Sequence, residues 1–211
     1  MGIDVVQIIQ VIGIVLVSMT FHEAMHGFMA YFLGDDTAKL QGRLTLNPVK
    51  HIDPFLTILL PVLLAIAGGP IFGGAKPVPF NPARVKYDEW GAALVALAGP
   101  LTNLVLAFIF FGMYALFGMS AGGMVAQVLI LAVTVNLGFF VFNMIPFPPL
   151  DGSRVLYALA PEFVRRGMEA LERFGIIVIF ALVLLASPIL STLLSTSISF
   201  FVRLFATIFG V

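Results

Sequence analysis

Two histidines four residues apart, His22 and His26, enclose Glu23 in the run His-Glu-Ala-Met-His. On a helix, positions four apart lie about 40° from each other around the axis, so both imidazoles can grip one ion while the Glu between them reaches a water at that ion. This is the arrangement of a zinc hydrolase, in which the metal lowers the pKa of water and the carboxylate takes a proton and returns it to the leaving amine. A catalytic zinc wants three protein ligands and keeps a fourth position open. The chain has no Cys, which leaves His, Asp and Glu as donors. His51 and Asp53 are nearby in sequence, but they sit in a polar loop beside Pro54, where surface or capping roles suit them equally well. Asp151 is the better candidate for the third ligand. It closes the run Asn143-Met-Ile-Pro-Phe-Pro-Pro-Leu-Asp, whose three prolines prevent regular helix and free backbone groups that must face protein or water.

The scaffold that has to position these residues is a membrane-embedded one. The 211 residues (22.8 kDa) are 60% hydrophobic and 10% charged, with a mean hydropathy of +1.08, against roughly 25% charged in a soluble domain. Eleven Lys and Arg balance eleven Asp and Glu, so no basic patch large enough to track a phosphate backbone can be argued, and nucleic acid is ruled out as a first guess. Spans are expected from Ile3 to Leu33, from Glu89 to Phe117 and from Met124 to Ile145, with a tight Gly-rich turn, Gly118 to Gly123, joining the last two. The apolar stretch from Phe174 to Val211, broken at Ser187-Pro188, is long enough for a hairpin of two short or tilted helices. The expected architecture is an all-α polytopic membrane protein of about five transmembrane helices with a re-entrant segment and a small β-hairpin at the cytoplasmic membrane surface. It forms a single membrane-embedded domain over residues 1–211, with a motif-bearing core over about 1–154 and the helical hairpin over about 174–211.

Charge places the elements. If Phe55 to Phe72 crosses the bilayer, Lys39, Arg43 and Lys50 fall on one side and Lys76, Arg84, Lys86, Arg154, Arg165, Arg166 and Arg173 on the other. If it dips in and returns, all ten lie together. The positive-inside rule favours the second arrangement, with those ten in the cytoplasm. A returning segment also brings the inner end of the first span, with its His-Glu-Ala-Met-His, to the same side as Asp151. Lys39 to Pro48, with Leu40, Leu44 and Leu46 among polar residues and Gly42 able to turn the chain, reads as the strand pair. Gly73 to Asp88, with prolines at 77, 79 and 82, reads as an ordered non-helical loop, and Gly152 to Arg173 as an interfacial helix of mixed charge.

On these residues the chain resembles the site-2 proteases, the family of intramembrane zinc metalloproteases. Both hallmark motifs stand in order, HExxH as His22 to His26 and the Asn-x-x-Pro-x-x-Pro-Leu-Asp-Gly type as Asn143 to Gly152. A Gly-Pro followed by Asn lies between them as Gly99-Pro-Leu-Thr-Asn103. The likeness covers roughly Ser18 to Arg154 and is to the compact subgroup that lacks PDZ and CBS domains. It implies one Zn2+ per chain held by His22, His26 and Asp151, Glu23 as general acid/base, and Asn143 as a contact to the substrate backbone or developing oxyanion. It implies transmembrane protein substrates cut within the lipid bilayer; the compactness of the chain points to a plasma membrane, and the charge asymmetry puts the active site towards the cytoplasmic side. Asn103 joins the expected substrate-binding set, although it and Asn136 can each bridge helices instead.

A substrate helix must unwind locally before it is cut, and pairing with an exposed strand would satisfy its freed amides. Gly42, Leu44 and Thr45 are the expected edge for that pairing, and Gly68 to Pro79 the segment that shields the metal from lipid or gates water. The competing reading is a proton- or metal-coupled transporter using the same His, Glu and Asp cluster. Such proteins usually carry symmetry-related broken helices, and no duplication is visible here. There is no Gly-x-Ser-x-Gly element for a serine enzyme.

Overall fold

The computed structural model describes residues 5–59, 74–118 and 123–211. α1 (Val5–Phe32) is 28 residues of nearly unbroken apolar sequence, about 42 Å long against a bilayer core of roughly 30 Å. It stops at Gly34, whose φ of +108° lets the chain reverse so that the N–H groups of Gly34 and Asp35 close on the carbonyls of Tyr31 and Ala30. A single turn, α2 (Thr37–Leu40), follows. α3 (Asp88–Met113) starts with Asp88 and Glu89 against the positive end of its dipole and runs on through the wide turn Tyr114–Gly118. α4 (Gly123–Asn143) returns antiparallel. Beyond it come α5 (Gly152–Leu159), α6 (Glu162–Glu172), α7 (Ile176–Leu185) and α8 (Ser187–Phe209).

Four described helices, α1, α3 with its extension, α4 and α8, are long and apolar enough to cross a membrane. The expected number was about five. The difference lies in the C-terminal hairpin, whose first arm, α7, has only 10 residues and so extends about 15 Å, half a bilayer core. The break itself falls at Ser187-Pro188 as expected, with Pro188 in the first turn of α8, where a missing N–H costs nothing. The single interfacial helix expected over Gly152 to Arg173 is two helices, because Pro161 offers no N–H and holds Ala160 extended at ψ 144°.

No strand occurs among the described residues, so the β-hairpin expected over Lys39 to Pro48 does not form. Gly42, at φ +64°, ends α2 instead of turning a ribbon: its N–H closes on Lys39 and that of Arg43 on Ala38. The Thr45 carbonyl is taken by His51 Nε2 at 2.8 Å and so is not free to pair.

α3 lies at the centre of the bundle between α1 and α4. Ala107 and Phe111 of α3, Val133 and Leu137 of α4 and Phe205 of α8 form one buried cluster, finished by edge-to-face ring contacts of Phe205 with Phe108 and Phe111. Outward residues such as Phe32 and Leu185, 80% and 84% exposed, are apolar as lipid contact requires. Where α1 ends and α3 begins the chain meets itself: Lys86 N–H donates to Leu33 C=O at 2.9 Å, Arg84 pairs with Asp36 at 2.7 Å, and Asn81 N–H donates to Asp35 at 2.6 Å. The end of α1 and the approach to α3 therefore lie together at one end of the bundle. The segment expected to dip into the membrane, Phe55 to Phe72, lies mostly outside the described residues, as does most of the Gly118 to Gly123 turn.

Asp35 anchors that junction. It is fully buried and accepts from Thr37 Oγ1 and N–H as well as from Asn81. Burial alone pushes its pKa up, but the Thr37 hydroxyl, the two amides and the Arg84 charge outweigh burial and hold it below 3.8. A carboxylate with a lowered folded-state pKa stabilises fully above its unfolded value and loses that contribution as pH falls through the folded one. Asp35→Asn is therefore expected to lower the melting temperature in detergent by roughly 3–6 °C at pH 7, with the gap from the parent closing as the pH is taken below about 4. A gap that stays constant across that range would contradict the assignment.

Candidate functional site

His22, Glu23 and His26 occupy the half of α1 nearest the α1–α3 junction and face α3, all three buried. His22 Nδ1 lies 2.6 Å from Asn103 Oδ1 and His26 Nδ1 lies 2.8 Å from the Val95 carbonyl. The proton positions follow from the network. Ala132 C=O can only accept, so the Asn136 amide that meets it at 2.9 Å is the NH2, which also donates to Ser18 Oγ. Asn136 Oδ1 then accepts from Asn103 Nδ2 at 2.9 Å, and Asn103 Oδ1 is left to accept from His22 Nδ1–H. The Val95 carbonyl fixes His26 the same way. Both rings are thus held with Nε2 bare, the form that binds a metal.

The two Nε2 atoms are 3.0 Å apart, and Asp151 Oδ2 lies 3.1 Å from one and 3.5 Å from the other. Donors at the corners of a tetrahedron around zinc are separated by about 3.3 Å, given bonds of about 2.0–2.1 Å. The three atoms fit that triangle. Asp151 Oδ2 is, moreover, buried with no hydrogen bond among the described residues, an orphaned acceptor of the kind a cation satisfies.

Asp151 reaches this point because the proline-rich run leaves α4 in successive tight turns (Phe147 N–H to Ile145 C=O, Leu150 N–H to Phe147 C=O) and α5 begins directly after it. Gly152 sits against the backbone of Met144 and Ile145, where a Cβ would collide, so only glycine permits that approach. On α3, Gly99 faces both Nε2 atoms without a side chain of its own.

Glu23 has a donor atom within 4.8 Å of the imidazole nitrogens, but its Oε2 accepts from Val78 N–H at 2.8 Å. A cavity of about 430 Å³ opens beside it, lined by His22, Glu23, His26, Val78, Asn143, Asp151 and Arg154 among mostly apolar neighbours. Asn143 is at this wall, with its NH2 donated back to Phe139 C=O at 3.1 Å. Asn103, expected at the substrate, is instead fully buried behind His22, while Asn136 bridges helices as expected. Gly42, Leu44 and Thr45 are not among the residues lining the cavity. Of the other ligand candidates, His51 is turned to Thr45, and Asp53 accepts from Phe55 N–H as a cap. The residues that sequence reasoning missed are Val78 and Val95, which act through main-chain groups and so leave no side-chain signal.

Removing the Asn103 carboxamide deprives His22 of the partner that fixes its tautomer. Asn103→Ala is expected to weaken zinc binding roughly 10- to 100-fold, measured by competition with a chelator. An unchanged affinity would mean that the ring needs no such partner.

Compared with known proteins, residues 10–122 and 112–186 match the description Peptidase family M50. "Putative zinc metalloprotease YwhC" of Bacillus subtilis (strain 168) is 42% identical over 205 residues, covering 92% of this chain and 90% of the relative. "Putative zinc metalloprotease Rip2" of Mycolicibacterium smegmatis is 35% identical over 178 residues, 83% of this chain and 66% of the relative. "Putative zinc metalloprotease MJ0611" of Methanocaldococcus jannaschii is 45% identical over 99 residues, 47% and 50% of the two chains. No solved structure matches the chain.

Proposed function

The chain belongs to peptidase family M50, the site-2 protease family, and from that premise we propose that it is an intramembrane zinc metalloprotease with one ion per chain, hydrolysing peptide bonds within or near the transmembrane segments of other membrane proteins. The observation that carries this reading is the convergence of His22 Nε2, His26 Nε2 and an otherwise unsatisfied Asp151 Oδ2 within 3.5 Å of one another, on a scaffold of four candidate spanning helices. These three residues would hold the ion. When bound, zinc supplies Lewis acidity and brings the pKa of a water to about 7.

The chain's own residues do the rest. Glu23, next to His22, about one turn before His26 and open to the cavity, takes the proton of the attacking water and delivers it to the leaving nitrogen. Asn143, which also lines the cavity, presents its carboxamide to the substrate backbone or the developing oxyanion. The mostly apolar lining lowers the local dielectric, which strengthens both interactions. A peptide group inside an intact helix has its N–H and C=O internally bonded, so the substrate enters locally unwound. The junction that sets Lys86 against Leu33 supports placing the cavity and the ten cations on one side of the membrane, the cytoplasmic side of a plasma membrane.

The test uses purified protein in detergent and in liposomes. Bound zinc is counted, and a panel of membrane-spanning peptides is incubated with protein as purified, after chelation and after zinc is returned. One zinc per chain, with cleavage lost on chelation and recovered on re-addition, is the expected result. Metal crossing liposome membranes with no peptide cut would overturn it in favour of a transporter.

A further inference from the structure

Residues 74–80 form no regular element, yet their backbone is tied down from both sides of Val78. Gly74 C=O accepts from Thr57 Oγ1 at 2.7 Å, Lys76 N–H donates to His51 C=O at 2.9 Å, and Asn81 N–H donates to Asp35 at 2.6 Å. The closest clamp is Arg43, whose Nη2 donates to the carbonyls of Lys76 and Pro77 at 2.8 and 3.3 Å. Arg43 is only 8% exposed, and a buried guanidinium that let go of these carbonyls would be left uncompensated. Pro77 and Pro79 have no N–H to give. Val78 therefore carries the one donor of this tripeptide, and it is spent on Glu23 Oε2 at 2.8 Å. The cavity remains open beside the strap, which is thus a fixed wall and not a plug.

Glu23 reaches the cavity through a flexible side chain with several rotamers. An N–H anchored on Oε2 selects one of them and leaves Oε1 for proton transfer. We propose that Arg43, by holding the Lys76–Val78 strap against α1, is a positioning residue for Glu23, and that the Val78 main-chain N–H is the group that aims its carboxylate. The inference rests on Glu23 being the general acid/base of the proposed hydrolysis. A reacting group displaced by about 1 Å loses roughly 100-fold in rate, and the loss falls on kcat because the anchor touches Glu23 and not the substrate.

The experiment measures kcat, KM and zinc content for cleavage of one membrane-spanning peptide. Val78→Pro removes the N–H, and Val78→Ala keeps the N–H while removing the side chain that packs at Gly27. Expected is a fall in kcat of roughly 30- to 100-fold for Val78→Pro, with zinc retained and KM within about threefold, and a kcat at least about tenfold higher for Val78→Ala. Arg43→Ala should fall in kcat likewise, with partial recovery in Arg43→Lys, whose ammonium can regain one carbonyl. Val78→Pro at the parental kcat, or a loss confined to KM, overturns the proposal. Should Val78→Pro not fold, the arginine pair decides alone: equal loss in Arg43→Ala and Arg43→Lys, or none in either, overturns it. Unimpaired cleavage by Glu23→Gln is a different outcome, since it removes the hydrolytic role of Glu23 itself.

Discussion

Glu23→Gln is expected to lower kcat by roughly 10²- to 10⁴-fold while the protein still binds one zinc. Gln matches Glu in shape, and its carbonyl oxygen can accept the Val78 N–H in place of Oε2, so the fold around the site has no reason to move. What is lost is a group able to take a proton and give it back. Metal retention matters as much as inactivity. Glu23 and Asp151 both stand close to the imidazole pair, and the geometry prefers Asp151, whose Oδ2 touches both Nε2 atoms while Glu23 is engaged by the strap. If zinc were to leave together with activity, Glu23 would be a ligand and Asp151 would need another role. Cleavage at the parental rate would exclude Glu23 from the chemistry.

Gly99→Ala is expected to cost zinc binding at least roughly 100-fold, more than the loss of an outer partner of a ligand, and cleavage with it. A Cβ at this position would press against His26 Nε2 and Cε1 and lie 2.7 Å from His22 Nε2, closer than carbon and nitrogen can approach without displacement. The rings cannot swing aside cheaply, since Asn103 and the Val95 carbonyl hold their other nitrogens. Helix propensity works the other way, favouring Ala over Gly by about 1 kcal/mol, so the variant should fold, and its metal-free form should melt no lower than the metal-free parent by more than a small overpacking cost of about 1–3 kcal/mol. Zinc counting after dialysis against a chelator, beside a melting curve, separates the two effects. Full zinc occupancy and parental cleavage would show that the rings do not lie against α3 as described.

Much of this site is written in local sequence. The four-residue spacing of His22 and His26, the intervening Glu23 and the apolar run around them bring the proposed ligands, the proposed acid/base and an apolar setting together, because a helix converts sequence spacing into angle without help from distant residues. The same holds for the helix breaks: the prolines before Asp151 and at 188 fix where regular structure stops, since a missing N–H acts on its own chain within a turn. The expected hairpin over Lys39 to Pro48 shows where local reading fails. Alternating leucines and a glycine permit a ribbon, but a strand exists only with a partner, and here the candidate groups are already taken by His51, Ala38 and Lys39. Likewise the length of an apolar stretch bounds how many spans it can make without deciding it, so the residues after Phe174 became one long helix and one short one.

By itself, then, the sequence determined the chemical identity of the donors, their spacing on one helix and the medium in which they operate. Only the tertiary structure decided that Asp151, over a hundred residues away, closes the triangle, that Asn103 faces His22 and not the cavity, and that a main-chain N–H held by Arg43 meets Glu23. The reason is that hydrogen bonds from backbone groups and approaches between helices depend on packing distances of a few tenths of an ångström, which side-chain type and periodicity do not encode.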